Sequence, residues 1–165
     1  KVYRDLICEL VYSQIDICHM GLPMTGHFID CRGSTINWCP IGRNANTKQR
    51  QEFVEADKQK KIRVRILDEL RAMLKLKKVD KKITIKLGGD TSFDIYPTGW
   101  DKTFALNHFE GSNWTFWFVG DRCSPIGNDY EIFLELKDTG RAFEVGSPEE
   151  TVDIIDFHIL RDLGA

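Results

Sequence analysis

The chain has 165 residues, 42% of them hydrophobic, with 23 basic against 25 acidic side chains and a formal net charge of −2. That length suits one large domain or two small ones with a sizeable core, and the near-neutral balance excludes non-specific nucleic-acid binding as the main task. No apolar stretch reaches membrane-spanning length, no signal-peptide pattern opens the chain, and Cys8, Cys18, Cys31, Cys39 and Cys123 lack C-x-x-C spacing, so reduced buried thiols of a cytosolic protein are expected rather than a disulfide framework or a zinc site.

The chain opens Lys1-Val2-Tyr3-Arg4, without a methionine and within an expected amphipathic helix, and so reads as a segment of a longer protein. Leu6 and Leu10, with Ile7 and Val11, recur at helical spacing and predict a helix over 2–18, broken by Gly21-Leu22-Pro23. Two β-like runs, 27–31 and 35–39, flank Arg32-Gly33-Ser34 and predict an antiparallel hairpin. Pro40-Ile41-Gly42 stops it. Asn46 or Thr47 is placed to cap a long charged helix over 48–77. Its Ile62, Ile66, Leu67, Leu70, Met73 and Leu74 form one apolar stripe for packing on a sheet. The Lys-rich stretch 75–82 reads as a solvated helix end and turn. Strands are predicted at 83–87 and 92–96, joined by Gly88-Gly89-Asp90. Helix, two strands, helix, two strands points to an antiparallel sheet with helices on one face.

Pro97-Thr98-Gly99 marks a domain boundary. Beyond it come a helix over 101–109, then a continuous apolar run at 114–119 that reads as a strand buried on both faces of a parallel sheet. An acidic loop with a short helix through Phe133, a short strand at 142–145 and a final helix complete the chain. Ser147-Pro148-Glu149-Glu150 sets an N-cap, a proline at N1 and a glutamate at N3 for that helix. The expected fold class is α/β, with an α+β unit over 1–99 and a second unit over 100–165.

Several side chains have the right chemistry for a site. The apolar run ends in Gly120-Asp121 and delivers a carboxylate to the carboxyl edge of a sheet, where open α/β sheets place their ligands. Asn128, Asp129 and Glu131 add oxygen donors from the turn made by Pro125 and Gly127. Such a set suits Mg²⁺, a hard cation; the plainer alternative is that Asp121 caps the next helix. Arg32 on the hairpin turn, Arg43 after Pro-Ile-Gly and Arg50 early in the next helix either clamp an anion such as phosphate through their donor forks or are three unrelated surface charges. Ser92 and Asp94 alternate on one strand and share a face, for sugar hydroxyls or simply for solvent. Lys102 stands at a helix start, where a lysine can neutralise a carboxylate–phosphate cluster, though most lysines so placed do not. His19, His27, His108 and His158 are scattered without metal-ligand spacing.

Four strings then occur in one order: Pro40-Ile41-Gly42-Arg43, Gly88-Gly89-Asp90-Thr91-Ser92-Phe93-Asp94, Tyr96-Pro97-Thr98-Gly99-Trp100-Asp101-Lys102, and Phe118-Val119-Gly120-Asp121 with Gly127-Asn128-Asp129-Tyr130-Glu131-Ile132-Phe133. Through them, and across essentially the whole chain, the sequence resembles the eukaryotic phosphomannomutase family of the haloacid-dehalogenase superfamily. The resemblance implies a cap domain with an antiparallel sheet over 1–99 and the second part of a Rossmann-like core over 100–165. It implies interconversion of mannose 6-phosphate and mannose 1-phosphate with Mg²⁺, for GDP-mannose synthesis in the cytoplasm. It places Arg32, Arg43 and Arg50 on the substrate's distal phosphate, Ser92 and Asp94 on sugar and phosphate, Lys102 as a supporting core lysine, and Asp121 on magnesium. Phe133, Glu135 and Asp138 resemble a second cation site, with Asp138 standing where the family often has a hydroxyl residue. Arg32-Gly33-Ser34 departs from the family's usual Arg-Asn-Gly. Phe28 matches an apolar position of a cap-to-cap homodimer. The family's D-x-D-G-T motif, which supplies the nucleophile and the acid/base, has no counterpart, since no D-x-D occurs in the chain.

The family's mechanism passes a phosphoryl group through a phospho-Asp enzyme and a hexose bisphosphate, with closure of the cap keeping water out. This segment without D-x-D is therefore expected to be inactive alone. Two other functions fit the same residues: a capped sugar phosphatase of the same superfamily, and a non-catalytic sugar-phosphate-binding or dimerisation module. A second phosphate grip made of three arginines favours the mutase.

Overall fold

The computed structural model describes residues 2–109 and 114–164. They fall into two compact units, divided between Thr98 and Gly99, and the class is α/β. Lys1, which the sequence puts at the head of the first helix, lies outside the described residues.

The first unit begins with α1 (Val2–Cys18), continues through β1 (Ile29–Arg32), β2 (Thr35–Trp38), α2 (Thr47–Lys60) and α3 (Ile62–Leu76), and closes with β3 (Ile83–Gly88) and β4 (Ser92–Pro97). The strands make one antiparallel sheet in the order β1-β2-β4-β3. Side chains alternate across a pleat, so Ile36, Trp38, Phe93, Ile95, Ile83 and Ile85 share one face, and all six are buried. In α1, Leu6, Leu10 and Ile17 lie on one stripe and are buried, whereas Val11 is exposed. Gln14 falls on that same stripe: its Oε1 accepts from the Trp38 indole N–H at 2.9 Å, and its Nε2 donates to the Pro40 carbonyl at 2.8 Å. A buried amide there ties α1 to the end of β2.

The expected single helix over 48–77 is two helices. Lys61 between them adopts a left-handed conformation, φ 51° and ψ 43°, which breaks the run of right-handed turns. The charged sequence contains no proline or glycine at this point, and so gave no sign of the break. At the start of α2, Asn46 takes the capping role: its side chain accepts from the Gln49 N–H while the Gln49 side chain accepts from the Asn46 N–H, each at 3.0 Å. In α3 the stripe Ile62, Ile66, Leu67, Leu70 and Leu74 is buried, and α3 packs against β3.

The second unit opens with a 3₁₀ helix (Lys102–Phe109) in place of the expected α-helix over 101–109. Then come β5 (Phe118–Gly120), α4 (Tyr130–Lys137), β6 (Ala142–Glu144) and α5 (Pro148–Ile154), whose coil runs on through a π turn to a last short helix, α6 (Leu160–Asp162). β5 and β6 are parallel, with Phe118 opposite Ala142 and Gly120 opposite Glu144, and α4 is the crossover between them. The strand expected over 114–119 therefore shrinks to Phe118–Gly120. A strand needs a ladder partner, and the three residues of β6 supply one only along that length. Nor is it buried on both faces, because its residues are half-buried. Ser147 caps α5, its Oγ accepting from the Glu150 N–H at 3.2 Å, with Pro148 in the first turn.

Of the cysteines, Cys39 and Cys123 are buried but Cys8, Cys18 and Cys31 are exposed, which corrects the expectation of buried thiols throughout. Burial pushes the Cys123 thiol up to about 11, so it stays protonated and unreactive near neutral pH. Among the described residues, no helix is long and apolar enough to cross a membrane.

Candidate functional site

The sheet of the first unit has a second face. Register places Asp30 opposite Asn37, Asn37 opposite Asp94, and Asp94 opposite Lys86, which makes one polar row across all four strands. Asn37 is its hub and is 5% exposed. Its Nδ2 donates to Asp94 Oδ1 at 2.8 Å and lies 3.2 Å from Ser92 Oγ, while its Oδ1 accepts from Arg43 Nη1 at 2.7 Å. Arg43 and, from a strand far along the chain, Ser92 and Asp94 thus converge on one amide.

Two glycines make this possible. Gly42 holds φ +86°, and a Cβ there would stand 2.2 Å from the Gly26 carbonyl oxygen, so only glycine carries the chain around the turn into Arg43. A Cβ on Gly88 would stand 2.5 Å from Asp94 Oδ2, because the carboxylate lies over that bare α-carbon. The turn itself is anchored by a cluster of Cys39, Ile41, Ala45 and Phe53, with Leu22 against it.

Arg32 and Arg43 also share Asp30. Arg32 Nε donates to Asp30 Oδ2 at 2.7 Å, and Arg43 Nε is 3.9 Å from the same oxygen. The Arg32 hydrogen bond, helped by the charges of Arg32, His27 and Arg43, holds the Asp30 carboxyl below its usual 3.8. A lowered folded-state value means that the stabilisation is fully present above 3.8 and fades as pH falls through the folded value. The NMR titration midpoint of Asp30 is therefore expected below 3.8, and Arg32→Ala is expected to return it toward the ordinary value. A midpoint at or above 3.8 in the parent chain would contradict the pairing.

Arg50 is braced rather than free-swinging: Nε donates to the Ala45 carbonyl at 3.0 Å, Nη2 to the Arg43 carbonyl at 3.0 Å, and Nη1 to Thr91 Oγ1 at 3.2 Å. The five side chains expected on an anionic sugar thus fall into one connected network. Asp30, Asn37 and Thr91 belong to it as well, and sequence reading missed them. A lone Asn amid apolar strand residues was the available signal for Asn37, since a buried amide must be hydrogen-bonded.

In the second unit, Lys102 Nζ donates to Asp129 Oδ1, and Asp129 Oδ2 accepts from the Arg122 N–H at 3.1 Å. Asp129 is 2% exposed and thus anchors the 122–129 loop. Asp121, just past β5, is open, with its carboxylate 66% exposed and Arg122 Nε 3.5 Å away. It borders a cleft of about 440 Å³ between the carboxyl ends of the two strands and the start of α5, lined also by Val145, Gly146, Ser147 and Thr151. Phe133 and Glu135 lie on α4, and Asp138 follows its last turn.

The family model for eukaryotic phosphomannomutase matches residues 2–161. The chain belongs to that family. It is 42% identical over 138 residues to the phosphomannomutase of Schizosaccharomyces pombe, covering 82% of this chain and 51% of that protein. With the phosphomannomutase of Saccharomyces cerevisiae the identity is 41% over 131 residues, covering 79% and 49%. The chain thus spans about half the length of the curated relatives it matches. Among solved structures, an N-terminally truncated, IMP-bound IMP-nucleotidase of Plasmodium falciparum aligns at a TM-score of 0.49 and 16% identity, over 92% of this chain and 37% of that one. A likeness of that size says nothing about chemistry.

A phosphomannomutase of this superfamily is expected to use Mg²⁺, and the oxygen donors can be tested against that ion. Magnesium keeps several waters and takes one or two carboxylates. Asp121 fits as one such carboxylate. Asp129 is committed to Lys102 and the Arg122 amide, and among the described residues no three His, Cys, Asp or Glu side chains gather as a metal cage.

Proposed function

We propose that this chain is the substrate-gripping and metal-supporting portion of a phosphomannomutase that interconverts mannose 6-phosphate and mannose 1-phosphate. The observation that carries the reading is the convergence of Arg43, Ser92 and Asp94 on Asn37, with Arg32 and Arg43 sharing Asp30 and Arg50 held beside them. Guanidinium N–H groups left over from those internal bonds suit phosphate oxygens, while Ser92 and Asp94 suit sugar hydroxyls. The first unit acts as the cap domain of the mutase and the second as part of its Rossmann-like core.

The division of labour follows from the residues. Arg32, Arg43 and Arg50 bind and orient the phosphate at the far end of the sugar. Asn37 fixes the direction of Arg43 and Asp94. Asp121 would hold magnesium, with Asn128 nearby in the loop and Phe133, Glu135 and Asp138 as a second cation site; the ion supplies charge neutralisation at the transferring phosphoryl group. Lys102 holds Asp129, and through it the loop beside Asp121. The attacking and acid/base carboxylates of a D-x-D-G-T motif are not in this sequence, so the polypeptide alone is read as catalytically silent. The protein works in the cytoplasm as a supplier of mannose 1-phosphate for GDP-mannose, and Phe28, half-buried just before β1, contributes to a homodimer contact.

Calorimetric titration tests the grip: the chain is expected to bind mannose 1-phosphate and not mannose, and Arg43→Ala to weaken that binding about tenfold or more, the loss of one charge-assisted hydrogen-bond site. Equal affinity for mannose and its phosphate would refute the assignment. Mutase turnover by this polypeptide alone would refute its catalytic silence.

A further inference from the structure

The turn that presents Thr91, Ser92 and Asp94 is held from behind by two residues that belong to no part of the site described so far. α3 starts at Ile62 without a cap from its own N-terminal residue, since Lys61 supplies no side-chain hydrogen bond. The open N–H of Arg63 is taken instead by Asp57 of α2, whose Oδ1 accepts it at 2.7 Å. Asp57 Oδ2 accepts from Arg63 Nε at 2.6 Å, so one carboxylate grips both the backbone and the side chain of the same arginine. The pair is close to buried, with side chains 10% and 12% exposed. Arg63 Nη1 then donates to the Gly89 carbonyl at 3.0 Å, in the β3–β4 turn.

From that turn the connection runs forward. Thr91 is 4% exposed and receives Arg50 Nη1 at 3.2 Å. Ser92 Oγ donates to the Gly88 carbonyl at 2.7 Å, which ties the two strands across the turn. Arg50 sits near the start of α2 and Asp57 near its end, so α2 and the turn are joined at two points, once through Arg50–Thr91 and once through Asp57–Arg63–Gly89. A carbonyl in a tight turn has few other restraints, and a charge-assisted bond from a nearly buried guanidinium is a strong one.

We propose that Asp57 and Arg63 are positioning residues for the sugar-phosphate grip: their ion pair holds the Gly89 turn, and thereby sets Thr91, Arg50, Ser92 and Asp94 for ligand without touching it. The inference rests on the sugar-phosphate reading for its ligand, but the brace can be measured without one. The two are separated by reading both amide exchange and affinity on the same 165-residue chain.

The variants are Arg63→Met, which removes every bond of the guanidinium, Arg63→Lys, which keeps the charge but not the planar donor fork, and Asp57→Asn, which keeps a neutral acceptor. Hydrogen exchange at the amides of Thr91 and Ser92 is expected to quicken about tenfold or more in Arg63→Met as the turn opens more often, with smaller effects in the other two. Affinity for mannose 1-phosphate, measured on the folded protein, is expected to fall about tenfold in Arg63→Met and to be partly recovered in Arg63→Lys. Exchange and affinity both at parental values in a folded Arg63→Met would overturn the proposal; so would loss of thermal stability with unchanged affinity, the signature of a purely structural pair. Where Arg63→Met fails to fold, Asp57→Asn decides by the same two readings. A parent chain that binds no mannose 1-phosphate refutes the functional reading, and the exchange comparison then decides the brace by itself.

Discussion

Asn37→Ala is expected to cost about 2 kcal/mol of stability, as partners of a buried amide are left unsatisfied, and to weaken mannose 1-phosphate binding more than any single arginine variant. Truncation removes the acceptor for Arg43 and the donor to Asp94 together, and also releases the contact with Ser92. Arg43 is partly exposed and can rehydrate, which keeps the stability loss moderate. The functional loss is larger because three side chains lose their common reference point at once. Asn37→Asp sharpens the test: it keeps an acceptor for Arg43 but sets a carboxylate directly opposite Asp94, and like charges facing each other across a strand pair are unfavourable. Urea denaturation with calorimetric titration checks both variants. Asn37→Ala with parental affinity would show that the amide is a packing residue and not the hub of a site.

The second large effect is on the other side of the same strand. Trp38 is fully buried, stacks on Phe93 with ring centroids 4.9 Å apart, and donates its indole N–H to Gln14. Trp38→Ala is expected to destabilise the first unit by about 3–5 kcal/mol, from lost transfer energy and the cavity left behind. Trp38→Phe keeps most of the ring contact but strands the Gln14 oxygen in a buried place, at about 1–2 kcal/mol. Equilibrium denaturation followed by intrinsic fluorescence and far-UV dichroism resolves the two. If Trp38→Phe were as damaging as Trp38→Ala, ring volume rather than the hydrogen bond would be the wrong explanation. An unchanged midpoint in Trp38→Ala would remove Trp38 from the core.

The two variants show why strand β2 matters: its apolar side chains build the interior and its one buried amide organises the opposite face. A shift of one residue in register would exchange the two faces. The pairings of Asn37 with Asp30 and Asp94 are what keep Trp38 inside and Arg43 within reach of the polar row.

Much of this architecture could be read from residues close together in the chain. Alternation placed the strands of the hairpin and of Ile83–Pro97, the stripe Ile62 to Leu74 identified the buried face of α3, and Ser147-Pro148 located the start of α5, because these signals depend on a few neighbouring dihedrals and caps. The failures share the opposite cause. Lys61 in a left-handed conformation splits the long helix, with Asp57 and Arg63 meeting across the joint, and no proline or glycine announces it. The apolar run from Trp114 became a strand only where β6 runs beside it, since pairing is a property of two segments. The cysteines were misjudged as uniformly buried because side-chain character does not say which face of α1 or β1 turns inward.

The same division holds for the candidate site. The sequence by itself determined which side chains carry useful chemistry, the family to which the chain belongs, and the absence of D-x-D from these 165 residues. Only the tertiary structure decided that Arg43, Ser92 and Asp94 share one amide, that Asp129 is an anchor for Lys102 while Asp121 stays open, and that Asp30, Asn37 and Thr91 belong with the arginines. The physical reason is that donor and acceptor types are written residue by residue, whereas hydrogen bonds of 2.8–3.2 Å between positions tens of residues apart exist only once register and packing have brought them together.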